Sequence, residues 1–551
     1  MFWNGEKGTL EYCNFINNNA NAGGGGVFWN GTDGILSSST FINNNAGTGG
    51  GGVAWGGING ILTSSIFINN TVNIDGGGVF WGAIKGTLTN STFINNMAIN
   101  DAGGGVFWYK DNGILTGCIF KSNSANTWGG GAVWAGDNGT LTNSTFIDNT
   151  ANTNGGALIW VGANSHMKNC DFTNNHAMYG DNVYWIWNVT EFLNKYNQIN
   201  DYDYVMIQNG VGTPSSTIVL NKKGIIISSE GNVVFDAKGG NLHFEVTGDN
   251  ILIEKITFRN FNFTGNGGAI SWTGNNGTLK NSNFINNTAF IGGGAIHWEA
   301  IDGILTNCNF IGNTATNANG GAIDYGCVNG IVLNSIFINN TALKMSGGVH
   351  MWSINGTLSN STFIGNHAII GGAASLTRVN INLSYCTFIN NTAGNYAGAV
   401  CWYADNGTLT TSTFTNNNAT INGGAIYWGG LNGTLSTSTF ISNHVTYRGG
   451  GAINWQVTGT MINCIFNTNE WNNNFNNGIY VNKTLNINGG KGLVNIVTQE
   501  TLSGISIVVL NNETYYYPPN SNINLPTKTK ILKIKRDRII NSKYHYHVRN
   551  R

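Results

Sequence analysis

The stretch GGGAIHWEAIDGILTNCNFIGN, residues 292–313, contains the pattern that decides the fold. It joins a Gly-Gly-small-aliphatic-x-Trp segment to a Leu-x-x-Ser/Cys-x-Phe-x-x-Asn segment through a short turn. The same unit recurs along most of the chain, with its phenylalanine at positions 15, 41, 67, 93, 120, 146, 172, 258, 284, 310, 337, 363, 388, 414, 440 and 466. Within each run the step is 25 to 27 residues, and each of these phenylalanines except Phe258 is followed three residues later by asparagine. A period this regular indicates a repeat architecture.

The composition excludes several classes of protein. The chain has 551 residues, of which 9% are charged, and a formal net charge of zero, so no overall field attracts nucleic acid or an anionic membrane. It contains 79 glycines and 4 prolines, but also 17 tryptophans and 27 phenylalanines, which separates it from disordered and collagen-like sequences. No apolar run in the sequence is long enough to span a membrane as a helix, and we expect no cofactor.

The repeat divides the chain into four predicted segments. Residues 1–187 form a first array, residues 188–257 a cap or irregular entry segment, residues 258–470 a second array, and residues 471–551 a partial β module with a basic tail. The sequence begins in the middle of a repeat, so we expect a fragment that lacks its signal peptide and anchor. Within the entry segment, residues 189–200 are predicted to form one short helix after Asn188.

Alternation of residue types predicts which side chains face the interior. The residue two before the tryptophan is aliphatic in most units, whereas the residue between them varies. Since successive strand side chains point to opposite faces, the aliphatic residue and the tryptophan face inward. If the units stack in parallel, equivalent side chains of successive units lie on one another. This predicts an all-β fold, a parallel β-helix in two arrays. The predicted ladders of stacked side chains include Trp29, Trp55, Trp81, Trp108, Trp134, Trp160, Trp272, Trp298, Phe284, Phe310, Asn287 and Asn313.

The same pattern assigns a position to each of two neighbouring residues, Met351 and Trp352. Trp352 is placed in the tryptophan ladder, and Met351 is placed in the outward-facing position before it.

The cysteines follow the repeat as well. Six of the eight alternate with serine two residues before the phenylalanine, where a small side chain fits a tight slot, and no two occupy neighbouring units. Residues two units apart lie about 9.6 Å apart, which exceeds the ~7 Å limit for a disulfide. We therefore expect free thiols that pack in the interior, and neither disulfides nor metal ligands.

The paired motifs resemble a known family of repeats. Residues 293–296 (GGAI) with Phe310 and Asn313, and residues 423–426 (GGAI) with Phe440 and Asn443, resemble the polymorphic outer membrane protein repeat. They are also similar to the right-handed β-helix repeats of archaeal adhesin-like surface proteins. The resemblance implies a right-handed parallel β-helix that is secreted, displayed at the cell surface and used for adhesion to glycans or to surface proteins of other cells.

Two other functions compete with a non-enzymatic adhesin. A polysaccharide lyase or glycoside hydrolase on a β-helix scaffold would need clustered carboxylates, whereas the acids after the tryptophan, such as Asp33 and Asp302, belong to turns. Asp111 and Asp137 fall in adjacent units and are weak candidates for a shared cation. The second competing function is a structural stalk of a surface layer.

A binding surface is predicted on the residues immediately before the tryptophans. Phe28, Phe80, Phe107, Tyr184 and Tyr427 would form an exposed apolar strip, which is typical of contact with a partner or a glycan. The competing interpretation is that a loop or a neighbouring molecule covers this strip. An enzyme would instead place its site where residues 188–257 interrupt the repeat, and a stalk would have no exposed strip.

Overall fold

A computed structural model describes residues 1–447, 449–470 and 479–481, and the backbone of further strands up to residue 535. Its strands stack in parallel as a β-solenoid of about 18 turns, which confirms the predicted all-β parallel β-helix. The handedness of the solenoid stays a prediction. The side chains of the predicted basic tail lie outside the described residues.

The chain divides into two compact units. The first contains Met1–Gly212, Val219–Val234 and Gly248–Ile256. The second contains Thr213–Ile218, Phe235–Thr247 and Thr257–Arg551. Most of the predicted entry segment therefore belongs to the first unit.

A typical turn of the first unit consists of four short strands: Val79–Trp81, Thr87–Thr89, Thr92–Ile94 and Met97–Ala98. Each gap between these strands contains one residue in the left-handed region, with φ of 58° at Lys85, 48° at Asn90 and 52° at Asn95. Asparagine tolerates this conformation better than most residues, so its recurrence at the corners has a local cause. Each strand pairs in parallel with its equivalent, so that Trp55, Trp81 and Trp108 lie in register.

The strands of the first unit form four ladders, whose bounds follow in chain order. The tryptophan strands are Phe2–Trp3, Val27–Trp29, Val53–Trp55, Val79–Trp81, Val106–Trp108, Ala132–Trp134, Leu158–Trp160 and Val183–Trp187. The leucine strands are Thr9–Glu11, Ile35–Ser37, Ile61–Thr63, Thr87–Thr89, Ile114–Thr116, Thr140–Thr142 and His166–Lys168. The phenylalanine strands are Asn14–Ile16, Thr40–Ile42, Ile66–Ile68, Thr92–Ile94, Ile119–Lys121, Thr145–Ile147 and Asp171–Thr173. The short strands are Asn19–Ala20, Asn45–Ala46, Thr71–Val72, Met97–Ala98, Ser124–Ala125 and Thr150–Ala151.

The segment that interrupts the repeat begins with a helix, Val189–Lys195, followed by a 3-10 turn, Tyr196–Gln198. The helix is shorter than predicted, although Asn188 and Glu191 form the expected N-terminal capping box. The strands that follow are Tyr204–Gly212, Ile218–Leu220, Ile226–Asp236, Phe244–Val246, Leu252–Glu254 and Ile256–Arg259.

The second unit repeats the four ladders. Its tryptophan-type strands are Ile270–Trp272, Ile296–Trp298, Ile323–Tyr325, Val349–Met351, Ala374–Leu376, Val400–Trp402, Ile426–Trp428, Ile453–Trp455 and Ile479–Val481. Its leucine strands are Thr278–Lys280, Ile304–Thr306, Ile331–Leu333, Thr357–Ser359, Asn382–Ser384, Thr408–Thr410, Gly433–Ser436 and Gly459–Ile462. Its phenylalanine strands are Asn283–Ile285, Asn309–Ile311, Ile336–Ile338, Thr362–Ile364, Thr387–Ile389, Thr413–Thr415, Thr439–Ile441 and Ile465–Asn467.

The remaining strands of this unit are of two kinds. The short strands of the repeat are Asn262–Phe263, Thr288–Ala289, Thr314–Ala315, Thr341–Ala342, His367–Ile370, Thr392–Tyr396, Asn418–Ala419, His444–Val445 and Glu470–Trp471. Beyond the repeat lie Asn474–Phe475, Leu485–Asn488, Gly492–Thr498, Ser506–Leu510, Glu513–Tyr517, Asn522–Leu525 and Leu532–Lys535. Several of these, such as Ser506–Leu510 with Glu513–Tyr517, pair antiparallel, unlike the repeat.

Stacked ladders fill the interior of each unit. The twelve ladder residues named above are all buried. The rings of Trp29 and Trp55 stack at 4.9 Å between centroids, and those of Phe284 and Phe310 also at 4.9 Å. Asn287 donates through Nδ2 to Oδ1 of Asn313, at 3.0 Å. Buried aromatic rings and an amide ladder therefore stabilise the regular turns of each unit.

The assignment of Trp352 and Met351 was wrong. Met351 is the residue in register with Tyr325 and Leu376, and it is fully buried, whereas Trp352 is half-buried. The flexible thioether of methionine fills an irregular gap in the interior. Trp352 lies on the opposite side of the sheet, where its Nε1 donates to Asp324 at 3.0 Å.

Candidate functional site

The predicted apolar strip is partly covered by the protein itself. Phe28, Phe80, Phe107 and Tyr427 are half-buried. Loop residues lie over two of them, since a β-carbon placed on Gly23 would be 3.3 Å from the ring of Phe28, and one on Gly49 would be 3.2 Å from the ring of Phe80. These side chains thus pack under loops of the same chain and offer only part of their surface to a partner.

Tyr184 departs from the prediction of exposure. It is only 8% exposed, because the ring of Tyr204 stacks on it at 4.6 Å with an angle of 10° between the planes. Both belong to an apolar cluster with Val133, Ile159 and Ala102. For Tyr184 the competing interpretation, a covering segment, is the correct one.

The same column becomes polar in the second unit. Asp324 lies between His297 and His350, which stand in the equivalent position of the turns before and after it. Nδ1 of His350 lies 2.7 Å from Oδ1 of Asp324, and Nδ1 of His297 lies 3.1 Å from Oδ2. Burial opposes ionisation of Asp324, but the hydrogen bonds from both histidines outweigh it and lower its pKa to about 2.

The histidine–aspartate cluster joins three successive turns through the carboxylate of Asp324. Trp352 supplies a further donor to Asp324, so the carboxylate accepts from three side chains. The alignment of residues 297, 324 and 350 one period apart is the signal that could have revealed it, but single residues at a variable position gave no reason to expect contact.

The two weak metal candidates are occupied by backbone contacts. Oδ1 of Asp111 accepts the backbone N–H of Asp137 at 3.0 Å, and Oδ1 of Asp137 accepts that of Ala163 at 2.8 Å. Each carboxylate thus joins one turn to the next. Within the described part of the chain, no group of three or more His, Cys, Asp or Glu side chains is placed to hold a metal ion.

The eight cysteines are free. Burial raises the pKa of Cys118, Cys308, Cys386 and Cys464 to about 12. A thiol with such a pKa is almost entirely protonated at neutral pH and is a poor nucleophile or metal ligand. These residues act as small apolar side chains.

Asp203 fixes the segment that interrupts the repeat to the strand Val183–Trp187. Its Oδ1 accepts the backbone N–H of Val183 at 3.0 Å, and its Oδ2 accepts Nε1 of Trp185 and the backbone N–H of Asn200, both at 2.8 Å. The carboxylate is fully buried, and burial raises its pKa to about 7, although these hydrogen bonds oppose the rise. The 3-10 turn just before Asn200 is therefore held in a defined position.

Two clefts open around this 3-10 turn, and Asn197 lines both. The tyrosine cleft, of about 340 Å³, is lined by Tyr196, Asn197, Ile199, Val219, Leu220, Asn221, Lys222 and Ile225. The amide cleft, also of about 340 Å³, is lined by Met167, Lys168, Asn169, Cys170, Asn197, Gln198 and Asn200. These volumes fall in the range of small-molecule sites, about 300–1,000 Å³. Sequence reasoning singled out this interruption, but it predicted a binding role for none of the residues that line the clefts.

Part of the repeat matches the model of a known family. The model of the Chlamydia polymorphic membrane protein repeat matches residues 411–427. Nine chains of solved structures match, among them a complex structure of the alginate lyase AlyF-OU02, with 13% identity, a TM-score of 0.38, and coverage of 60% of this chain and 89% of that chain. No curated protein matches the sequence.

None of the helices among the described residues is long and apolar enough to cross a membrane.

Proposed function

We propose that this protein is a non-enzymatic, adhesin-like protein, secreted or displayed at a cell surface, that binds glycans of other cells. The polymorphic membrane protein repeat at residues 411–427 supports a place at the surface. The two clefts around Asn197 are the observation that carries the binding function.

The chemistry of the clefts suits a saccharide. Asparagine and glutamine side chains both donate and accept hydrogen bonds, as sugar hydroxyls do. Four such residues, Asn169, Asn197, Gln198 and Asn200, line the amide cleft. Tyr196 adds an aromatic ring to the tyrosine cleft, beside the aliphatic walls formed by Leu220 and Ile225. An apolar wall beside convergent polar groups is the usual composition of a ligand site.

The same clefts favour binding over hydrolysis. Glycoside hydrolases use a pair of Asp or Glu side chains that flank the scissile bond. None of the residues that line the two clefts is Asp or Glu. A glycan held there would therefore meet amides, lysines and a tyrosine, and no carboxylate pair.

A panel of plant, microbial and host polysaccharides tests this function. We expect the purified protein to be retained by at least one of them, with no oligosaccharide detected by mass spectrometry above a heat-inactivated control. Release of oligosaccharides would replace the adhesin with a polysaccharide-degrading enzyme. Failure of every glycan to retain the protein would favour a structural stalk.

A further inference from the structure

We propose that the two clefts around Asn197 recognise an acidic oligosaccharide, one whose sugar rings carry carboxylates. This inference rests on the glycan-binding function proposed above and adds the charge class of the ligand. It also assigns Lys168 and Lys222 as the residues that bind the carboxylates.

Each cleft contains one lysine that has no ionic partner among the described residues. Lys222 lines the tyrosine cleft and Lys168 the amide cleft, and both side chains are exposed. In the described part of the chain neither takes part in an ion pair, whereas the neighbouring Lys195 contacts Glu191 at 3.2 Å. An acidic ligand that spans both clefts would give each ammonium group a carboxylate partner.

Among the described residues, the acids near the clefts do not pair with Lys168 or Lys222. Oδ1 of Asp201 accepts the backbone N–H of Lys223 at 3.0 Å. Asp171 follows Cys170 directly but is exposed and does not line either cleft. Among the lining residues the two lysines are the only charged ones, so direct contacts in the clefts favour an anion over a neutral sugar.

Gln198 provides a second, independent indication of a ligand. It lines the amide cleft, and its Oε1 is buried without a hydrogen-bond partner. A buried acceptor left unpaired costs about 1–3 kcal/mol. If the side chain turns towards the cleft, a sugar hydroxyl can donate to this oxygen and remove the cost.

Asn197 and Tyr196 complete the geometry. Because Asn197 lines both clefts, a ligand that fills both must pass over it, which requires at least two linked sugar rings. Tyr196 lies next to it and can stack on the ring in the tyrosine cleft. Each of the two rings then has its carboxylate in the cleft of one lysine.

Binding of labelled oligouronates to the full chain tests the inference, with neutral oligoglucans of equal length as the comparison. We expect the oligouronate to bind more tightly and its affinity to fall as salt increases. The double variant Lys168→Gln/Lys222→Gln should bind the oligouronate about tenfold more weakly, since two exposed ion pairs are lost. The variant Lys168→Arg/Lys222→Arg should retain most of the affinity. Lys121→Gln, which removes an exposed lysine elsewhere in the same unit, is the matched control and should bind like the wild type.

Three results would overturn the inference: equal binding of neutral and acidic oligosaccharides, full affinity in the double glutamine variant, or equal losses in that variant and in Lys121→Gln. Circular dichroism and the melting temperature of each variant establish that it is folded. If acidic sugars do not bind but neutral ones do, the glycan-binding function stands and only the charge class fails. If no glycan binds the wild type, the proposed function fails as well.

Discussion

Oδ2 of Asp203 lies 2.8 Å from Nε1 of Trp185, deep inside the first unit. Trp185 belongs to the last tryptophan strand of the first unit, and Asp203 follows the 3-10 turn around which the two clefts open. The second oxygen of the carboxylate holds the backbone of Val183. One buried acid thus connects the regular repeat to the segment that carries the candidate site.

The pH dependence of stability should report this acid. Burial raises the pKa of Asp203 to about 7 in the folded protein, above its ordinary value of 3.8. Between these values the folded state binds more protons than the unfolded state, so the contribution of this group to stability is full below about pH 4 and is lost as pH rises through about 7. We therefore expect the denaturation midpoint to decrease as the pH is raised from about 4 to about 7.

The variant Asp203→Asn removes this titration and should flatten the fall in the midpoint. Glu6→Gln, at an exposed position, is the control and should keep the slope of the wild type. An unchanged slope in Asp203→Asn would show that another group is responsible.

The buried asparagine ladder should dominate the polar contribution to stability. Nδ2 of Asn70 donates to the carbonyl of Phe41 and to Oδ1 of Asn96, both at 2.9 Å, and its Oδ1 accepts from Asn44. Asn70→Ala leaves several buried groups unpaired, so we expect a loss of at least about 3 kcal/mol in the free energy of unfolding. Chemical denaturation measures it.

Asn45 offers a matched control for that variant. It also forms an amide ladder, since its Nδ2 donates to Oδ1 of Asn19 at 3.0 Å, but it is exposed. Asn45→Ala should cost less than about 0.5 kcal/mol. Similar losses in the two variants would contradict the importance of burial.

The tryptophan ladder should carry much of the apolar stabilisation. The ring of Trp81 stacks between those of Trp55, at 5.0 Å, and Trp108, at 4.7 Å, and it is fully buried. Trp81→Ala should cost about 3–5 kcal/mol, because a large cavity remains. Trp128 is 45% exposed, and Trp128→Ala should cost less than about 1 kcal/mol in the same denaturation experiment. A small effect of Trp81→Ala would mean that the stack collapses without penalty.

The histidine–aspartate cluster should stabilise the second unit only above acidic pH. The pKa of Asp324 is lowered to about 2, so its contribution is present above its ordinary pKa of 3.8 and is lost as pH falls towards about 2. Asp324→Asn should therefore lower the denaturation midpoint at about pH 6 and have a smaller effect at about pH 2.5.

Asp302→Asn serves as the control for this variant. Asp302 is exposed and lies at a turn with φ of 56°, a conformation that asparagine tolerates. The two substitutions should differ clearly at about pH 6. An effect of Asp324→Asn that does not depend on pH would exclude an ionic contribution.

The sequence was sufficient to predict the repeat because stacking places identical residues in contact. A phenylalanine lies one period before and one period after Phe310, and Asn313 follows Phe310 three residues later. The ladder is therefore visible when the repeated units are aligned. The same logic assigned the cysteines to a packing role, since they alternate with serine in one column.

Contacts that cross the repeat could not be predicted in this way. Tyr184 is covered by Tyr204, which enters from the irregular segment and not from a repeat position. Met351 and Trp352 are adjacent and both apolar, so the pattern did not show which of them faces inward. Lys168, Asn197 and Lys222 share no period, and only the folding of the interruption brings their clefts together.

Calorimetric titration of the full chain with an oligouronate, followed by mass spectrometry of the recovered sugar, tests the central claim most directly. A non-enzymatic glycan-binding protein should give saturable binding and return the oligosaccharide at its original length. Shortened sugar, above the level of a heat-inactivated control, would show an enzyme instead. The absence of saturable binding to acidic and neutral sugars alike would contradict glycan binding altogether.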